Sequence, residues 1–196
     1  MKTLALLLAF GLSVQDAPPV PVPATVKVTL TTAQGPIVLE LEKERAPITT
    51  ANFLRYVDQK RLNGAAFYRA AKAPNAPDYG LVQFGTRNDP RRTLPPIAHE
   101  PTSKTGLSHK SGTISLARAA PGTGAGDFFI MIGDTPSLDA QPGGDAGFAA
   151  FGRVAEGMEL VRAMLGAATD PNKGEGVMKG QYLASPVVIT SARRSN

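Results

Sequence analysis

Polar and apolar residues alternate in VKVTLTT (26–32) and again in PIVLELE (36–42), with AQG between them. A period of two belongs to a strand with one wet and one buried face, so the pair predicts a β-hairpin turning at AQG. APITTANFLRYVDQK (46–60) changes period: Pro47 suits a first helical turn, and Phe53 and Val57 share one face, which predicts a helix. Apolar runs at AAFYRA (65–70), GLVQFG (80–85), GTISLAR (112–118), DFFIMIG (127–133) and GFAAFGRV (147–154) predict further strands. GMELVRAML (157–165) places Met158, Val161 and Leu165 at helical spacing, and SPVVITSAR (185–193) closes the chain as a strand.

Many strands, two isolated helices and no βαβ rhythm predict a mainly β fold. A closed antiparallel barrel with helices outside it fits best, because closure leaves no sheet edge unpaired. No internal repeat is present. The stretches 86–112 and 133–147 read as long surface loops, where binding residues are usually carried on such a scaffold.

Composition narrows the picture. A chain of 196 residues, 42% hydrophobic, suits one domain with a full core. Twenty glycines and seventeen prolines favour short strands and turns over a helical bundle. The net charge of +5 is spread along the chain, which reads as a solvated surface and not as a nucleic-acid interface. At the N-terminus MKTLALLLAFGLSV puts Lys2 before about a dozen apolar residues, too short to span a bilayer and right for a signal-peptide core. Residues 1–14 are therefore expected to be a signal peptide, with Gly11 and Ser13 small enough for its cleavage site. Residues 15–25 (QDAPPVPVPAT) are expected to be an extended proline-rich spacer, and 26–196 the folded domain. The chain has no cysteine, so an exported protein of this sequence relies on its core without disulfides.

Much chemistry is missing. The two histidines, His99 and His109, have no metal-ligand spacing, and without cysteine neither a metal nor another cofactor is expected. His109 lies near Ser111, but no G-x-S-x-G elbow exists and His109 reads as a loop residue. LARAAPGTGAGDFF has spaced glycines without the lysine and helix of a phosphate loop. No paired carboxylates fall at a strand end.

Three stretches, AAFYR…VQFG (65–85), SGTISLARAAPGTGAGDFFIMIGDTPSLD (111–139) and GFAAFGRVAEGMELV (147–161), together resemble the cyclophilin peptidyl-prolyl isomerases, in order and spacing. The bacterial exported form is the nearest type. VKVTLTTAQGPIVLELEKERAPITTANFLRYV (26–57) agrees with the family's opening hairpin and first helix, and PPIAHE (95–100) with a later loop. The resemblance covers nearly all of 26–193. It implies a closed eight-stranded antiparallel barrel capped by two α-helices, with the site on the barrel's outer face, acting on X-Pro bonds of exported polypeptides, as a periplasmic or secreted monomer free of the membrane after signal cleavage.

The resemblance also implies roles. Arg69 falls on the catalytic arginine and Gln83 on the glutamine that holds it. Phe129 floors the proline pocket, Leu81 lies beside it, and Leu138 and Phe148 complete its apolar wall. Ala117 and Arg118 fall on the pair whose backbone receives the preceding substrate residue. Such a site needs no nucleophile or metal, because rotation about an amide breaks no σ-bond.

Departures accompany the match. Tyr68 stands for the family's histidine, and about six extra residues separate Arg69 from Gln83, so Tyr79 is the candidate for a displaced pocket ring. Asp127 replaces a glutamine, where it could pair with Arg69 and compete for it or orient it. Ser137 replaces an aromatic residue that helps grip cyclosporin, so weak inhibition by that drug is expected. Two readings therefore stand: an active isomerase, and a catalytically weak chaperone or adaptor that binds proline-containing segments on the same barrel.

Overall fold

The computed structural model describes residues 24–195. The expected hairpin forms from β1 (Thr25–Thr32) and β2 (Gly35–Glu42), which pair antiparallel from Thr25 opposite Glu42 to Thr32 opposite Gly35. Alternation is the cause: Val28 and Leu30, with Ile37, Leu39 and Leu41, are sealed from solvent on the shared inner face. The stretch expected to be a signal peptide (1–14) and most of the expected spacer (15–25) lie outside the described residues. Thr25, the last residue assigned to the spacer, already belongs to β1.

The chain continues through α1 (Pro47–Asp58), β3 (Ala66–Ala73), β4 (Ala76–Gly85), the single-turn α2 (Thr102–Thr105), β5 (Thr113–Leu116), β6 (Asp127–Ile132), β7 (Ala149–Glu156), α3 (Met158–Gly166), the two-residue β8 (Thr169–Asp170) and β9 (Tyr182–Ser195). Strand neighbours run β1-β2-β7-β5-β6-β4-β3-β9, and β9 pairs back onto β1. Eight strands thus close an antiparallel barrel, and β8 only flanks β9.

Aromatic rings fill the interior. Phe53 of α1 meets Phe128 of β6 edge-on at 4.8 Å, and Phe84 and Phe151 lie 5.7 and 5.8 Å from Phe128. From α3, Val161, Met164 and Leu165 are buried. The first turn of α1 is closed from a distance: Glu100, only 1% exposed, accepts hydrogen bonds from the Ile48 and Thr49 amides and the Thr49 hydroxyl. A carboxylate there satisfies orphan amides at the positive end of the helix, and it ties the PPIAHE loop to the barrel.

The structure corrects two expectations and resolves the extra residues between Arg69 and Gln83. Across 70–80, β3 and β4 run on as a hairpin whose tip turns at Asn75 with φ 61°. Its prolines are tolerated because β4 has a second partner, β6, only from Gly80 onward, so Pro77 has no ladder on that side to supply. The 86–112 loop contains α2, and 133–147 contains a 3₁₀ turn at Pro136–Leu138. Finally, β9 begins at Tyr182, ahead of the expected Ser185, after a turn at Gly176–Met178.

Candidate active site

Register places the functional side chains in one transverse row. Tyr182 of β9 lies opposite Arg69, Arg69 opposite Gln83, Gln83 opposite Phe129, and Phe129 opposite Ser115. Strict alternation from inward Phe67 would turn Arg69 into the core. A bulge at Tyr68 prevents this: Phe67 pairs with Phe84 and Arg69 with Gln83, so one extra residue is absorbed and the arginine is re-aimed outward. On β6, Phe128 points in and Phe129 out by simple alternation.

Arg69 is half-buried and held by amides. Its Nη1 donates to Gln83 Oε1 at 2.7 Å, and its Nε and Nη2 donate to Gln181 Oε1 at 2.9 and 2.6 Å. A guanidinium has five N–H groups, so these three bonds leave two for a ligand. Burial lowers its pKa, partly offset by Tyr68 and Tyr182. An arginine nonetheless keeps its proton throughout the physiological range.

The row opens into a cleft of about 720 Å³ that holds nine of the ten residues implied by the resemblance: Arg69, Gln83, Phe129, Leu81, Ala117, Arg118, Asp127, Leu138 and Phe148. Phe148 stands edge-on to Phe129 at 5.3 Å. Arg118 lies over the Phe148 ring at 4.8 Å and donates to the Gly147 carbonyl and to Asp145 Oδ1. Its charge is thus committed to fixing that wall. The Ala117 amide is already given to the Asp127 carbonyl.

Tyr79 is the exception. It sits 51% exposed on the extended hairpin, in a separate recess with Ser111, Gly133, Asp134 and Arg162. A Cβ at Gly133 would fall 1.8 Å from the Tyr79 ring, so the ring is packed against that glycine, and it does not line the cleft. The extra residues lengthened the hairpin, and Tyr79 lies on that extension, ahead of Gly80 where β4 joins β6.

Two departures from the family pattern compensate each other. The Tyr68 hydroxyl donates to Asp127 Oδ1 at 2.9 Å, and the Arg87 amide donates to the same oxygen at 2.9 Å. Asp127 is thereby engaged, and among the described residues Arg69 forms no ion pair. Burial raises the Asp127 pKa, against hydrogen bonds from Arg87 and Tyr68 that lower it. Burial, then Asp127, also pushes the Tyr68 phenol well above its ordinary value. Tyr68 stacks on Tyr182 at 5.9 Å, with Arg87 over both rings. Sequence reasoning missed Gln181, Tyr182, Met178 and Val177, which lie in a stretch with neither periodicity nor motif.

His109 lies in the 86–112 loop, as expected, but not at its surface. It is fully buried, with Nδ1 2.6 Å from Asp139 Oδ1 and Nε2 3.0 Å from Ser115 Oγ, and its ring stacks on Phe129 at 6.1 Å. Ser115 is itself 0% exposed, so this chain of groups offers no nucleophile and instead props the pocket floor. Burial holds the His109 pKa below 6.5, although Asp139 pulls the other way. A depressed histidine contributes stability fully present above 6.5 that is lost as pH falls through the folded value. Asp127 has the opposite sign: with a raised pKa, its share is complete below 3.8 and fades as pH rises. The two are separated by His109→Gln: the Tm difference from wild type should shrink steadily as pH drops below 6.5. A difference that stays constant from about pH 7 to 5 would show that His109 is not held neutral.

A closed eight-stranded antiparallel barrel with two main helices is the cyclophilin-like architecture. Two structures of a Cryptosporidium parvum cyclophilin type peptidyl-prolyl cis-trans isomerase match it with TM-scores of 0.66 and 0.69, at 18% identity. They cover 88% and 87% of this chain and 99% of their own, and at that identity they establish the fold alone. The family model "Cyclophilin type peptidyl-prolyl cis-trans isomerase/CLD" matches residues 26–193. Peptidyl-prolyl cis-trans isomerase cyp18 of Streptomyces antibioticus is 36% identical over 85% of this chain and 96% of its own length. Peptidyl-prolyl cis-trans isomerase A of Dickeya dadantii is 35% identical over 85% of this chain and 83% of its own. The chain belongs to the cyclophilin type peptidyl-prolyl cis-trans isomerase family.

Proposed function

We propose that this protein is an active peptidyl-prolyl cis-trans isomerase, and that Arg69 drives the rotation. The observation that carries this reading is the row Arg69–Gln83–Phe129, a guanidinium with two unspent N–H groups beside an aromatic floor in one cleft. The obstacle to rotation is amide resonance, a barrier of about 18–20 kcal/mol crossed unaided in tens of seconds. In the twisted transition state the prolyl nitrogen regains its lone pair. A donor fixed at that point binds the twisted state better than either planar isomer, and this difference is catalysis. Phe129, Leu81, Leu138 and Phe148 clamp the ring while the amide turns.

Proline-containing segments are the substrate class. The names of the relatives support this, and one structural neighbour was solved in the presence of the dipeptide Ala-Pro. The alternative of a binding barrel with little catalysis drew on Asp127 competing for Arg69 and on the remodelled 70–80 stretch. Asp127 is engaged by Tyr68 and no residue of 70–80 lines the cleft, so neither observation favours it. The test is NMR exchange on an X-Pro peptide: cross-peaks between cis and trans forms in the protein's presence support the reading, and their absence with folded protein overturns it.

The setting proposed is outside the cytoplasm: 1–14 as a cleaved signal, 15–25 as spacer and 26–196 as a monomeric domain serving exported polypeptides. Support comes from Lys2 followed by an apolar core and from the proline-rich stretch after it. Intact mass of the protein recovered from a periplasmic extract should show loss of the first residues; an unprocessed mass would refute it.

A further inference from the structure

We infer that Gln181 is the positioning residue for Arg69, and that its being an amide keeps the guanidinium charge whole for the substrate. The inference rests on the isomerase reading above. Gln83 alone takes one nitrogen, Nη1, and a single bond leaves the guanidinium free to swing. Gln181 Oε1 takes Nε and Nη2 together, a two-pronged grip on the opposite edge, which fixes the plane of the group.

Gln181 is itself anchored at three points. Its Nε2 donates to the Val177 carbonyl at 2.8 Å, which also settles which end of the amide meets an arginine that cannot accept. Its backbone carbonyl accepts from the amide of Ala70, the residue after Arg69, at 2.9 Å. Its own amide donates to the Met178 carbonyl at 3.2 Å, closing the turn at Gly176–Met178. The turn between β8 and β9 is therefore a strut from the barrel rim to the guanidinium.

The acceptor's neutrality is the second half of the argument. A carboxylate at this position would grip harder through charge-assisted bonds. It would also cancel much of the positive potential that the prolyl nitrogen must feel as it gains its lone pair. Asp127, the carboxylate in the same cleft, is engaged by Tyr68 and the Arg87 amide, so both holders of Arg69 are uncharged.

The experiment compares wild type, Gln181→Ala and Gln181→Glu by NMR exchange on one X-Pro peptide, separating kcat from KM, with Tm for each. Gln181→Ala should lower kcat about tenfold with little change in KM, as expected when a donor is held less well in the transition state. Gln181→Glu keeps length, fold and an acceptor, so its Tm should equal or exceed that of wild type, yet kcat should also fall about tenfold. A merely structural glutamine would leave Gln181→Glu as fast as wild type, and that result overturns the inference, as does an unchanged rate in Gln181→Ala. An inactive wild type would instead overturn the isomerase reading.

Discussion

Replacing Arg69 with alanine should reduce kcat/KM by on the order of 10²–10³-fold while the protein stays folded. Raising a rate from tens of seconds to about 10³ per second takes roughly five decades, or about 7 kcal/mol, and a charged donor at the prolyl nitrogen is the largest single contributor on offer. The fold should survive because Arg69 points out of the barrel and its two acceptors, Gln83 in the cleft and Gln181 beside it, are only partly buried, so water can replace it. The stability change should stay within about 1 kcal/mol. Arg69→Lys sharpens the test: lysine keeps the charge but cannot fork onto both glutamines, so it should recover only a small part of the loss. Equal rates for wild type and Arg69→Ala, with matched circular dichroism and Tm, would remove Arg69 from the mechanism.

The second large effect is on stability. Phe128→Ala should cost about 3–5 kcal/mol, the usual range for emptying a fully buried aromatic site. Phe128 is 0% exposed and touches four rings: Phe53 at 4.8 Å, Tyr56 at 5.9 Å, Phe84 at 5.7 Å and Phe151 at 5.8 Å. Those rings come from α1, β4 and β7, so the cavity left behind cannot close by moving one element. For a chain of this size the Tm should fall by about 10 °C or more. Urea melts read by circular dichroism would check it, and a loss below about 1 kcal/mol would mean that the barrel is not organised around this ring.

These two variants also show what was legible beforehand. That one of the adjacent pair Phe128–Phe129 is core and the other faces the pocket follows from a period of two, and strand register confirms which is which. Arg69 is different. The resemblance marks it, but alternation counted from Phe67 would bury it, and only the bulge at Tyr68 turns it out. Tyr79 failed for a related reason. Counting residues through an insertion cannot say whether extra length becomes a loop over the cleft or a longer hairpin beyond it.

Hydrophobic periodicity determined most of the strands, the two main helices and the closed mainly β architecture, because burial on one face imposes a local pattern. The spacing of arginine, glutamine and phenylalanine within a familiar motif marked most of the cleft. Beyond the Arg69–Gln83 pair, tertiary structure alone decided who holds whom. Gln181 meets Arg69 across 112 residues of chain, and Tyr68 meets Asp127 across 59. Such pairs are created by strand register and barrel closure, which bring distant residues within about 3 Å of each other, and no local pattern of polar and apolar positions encodes a contact of that range.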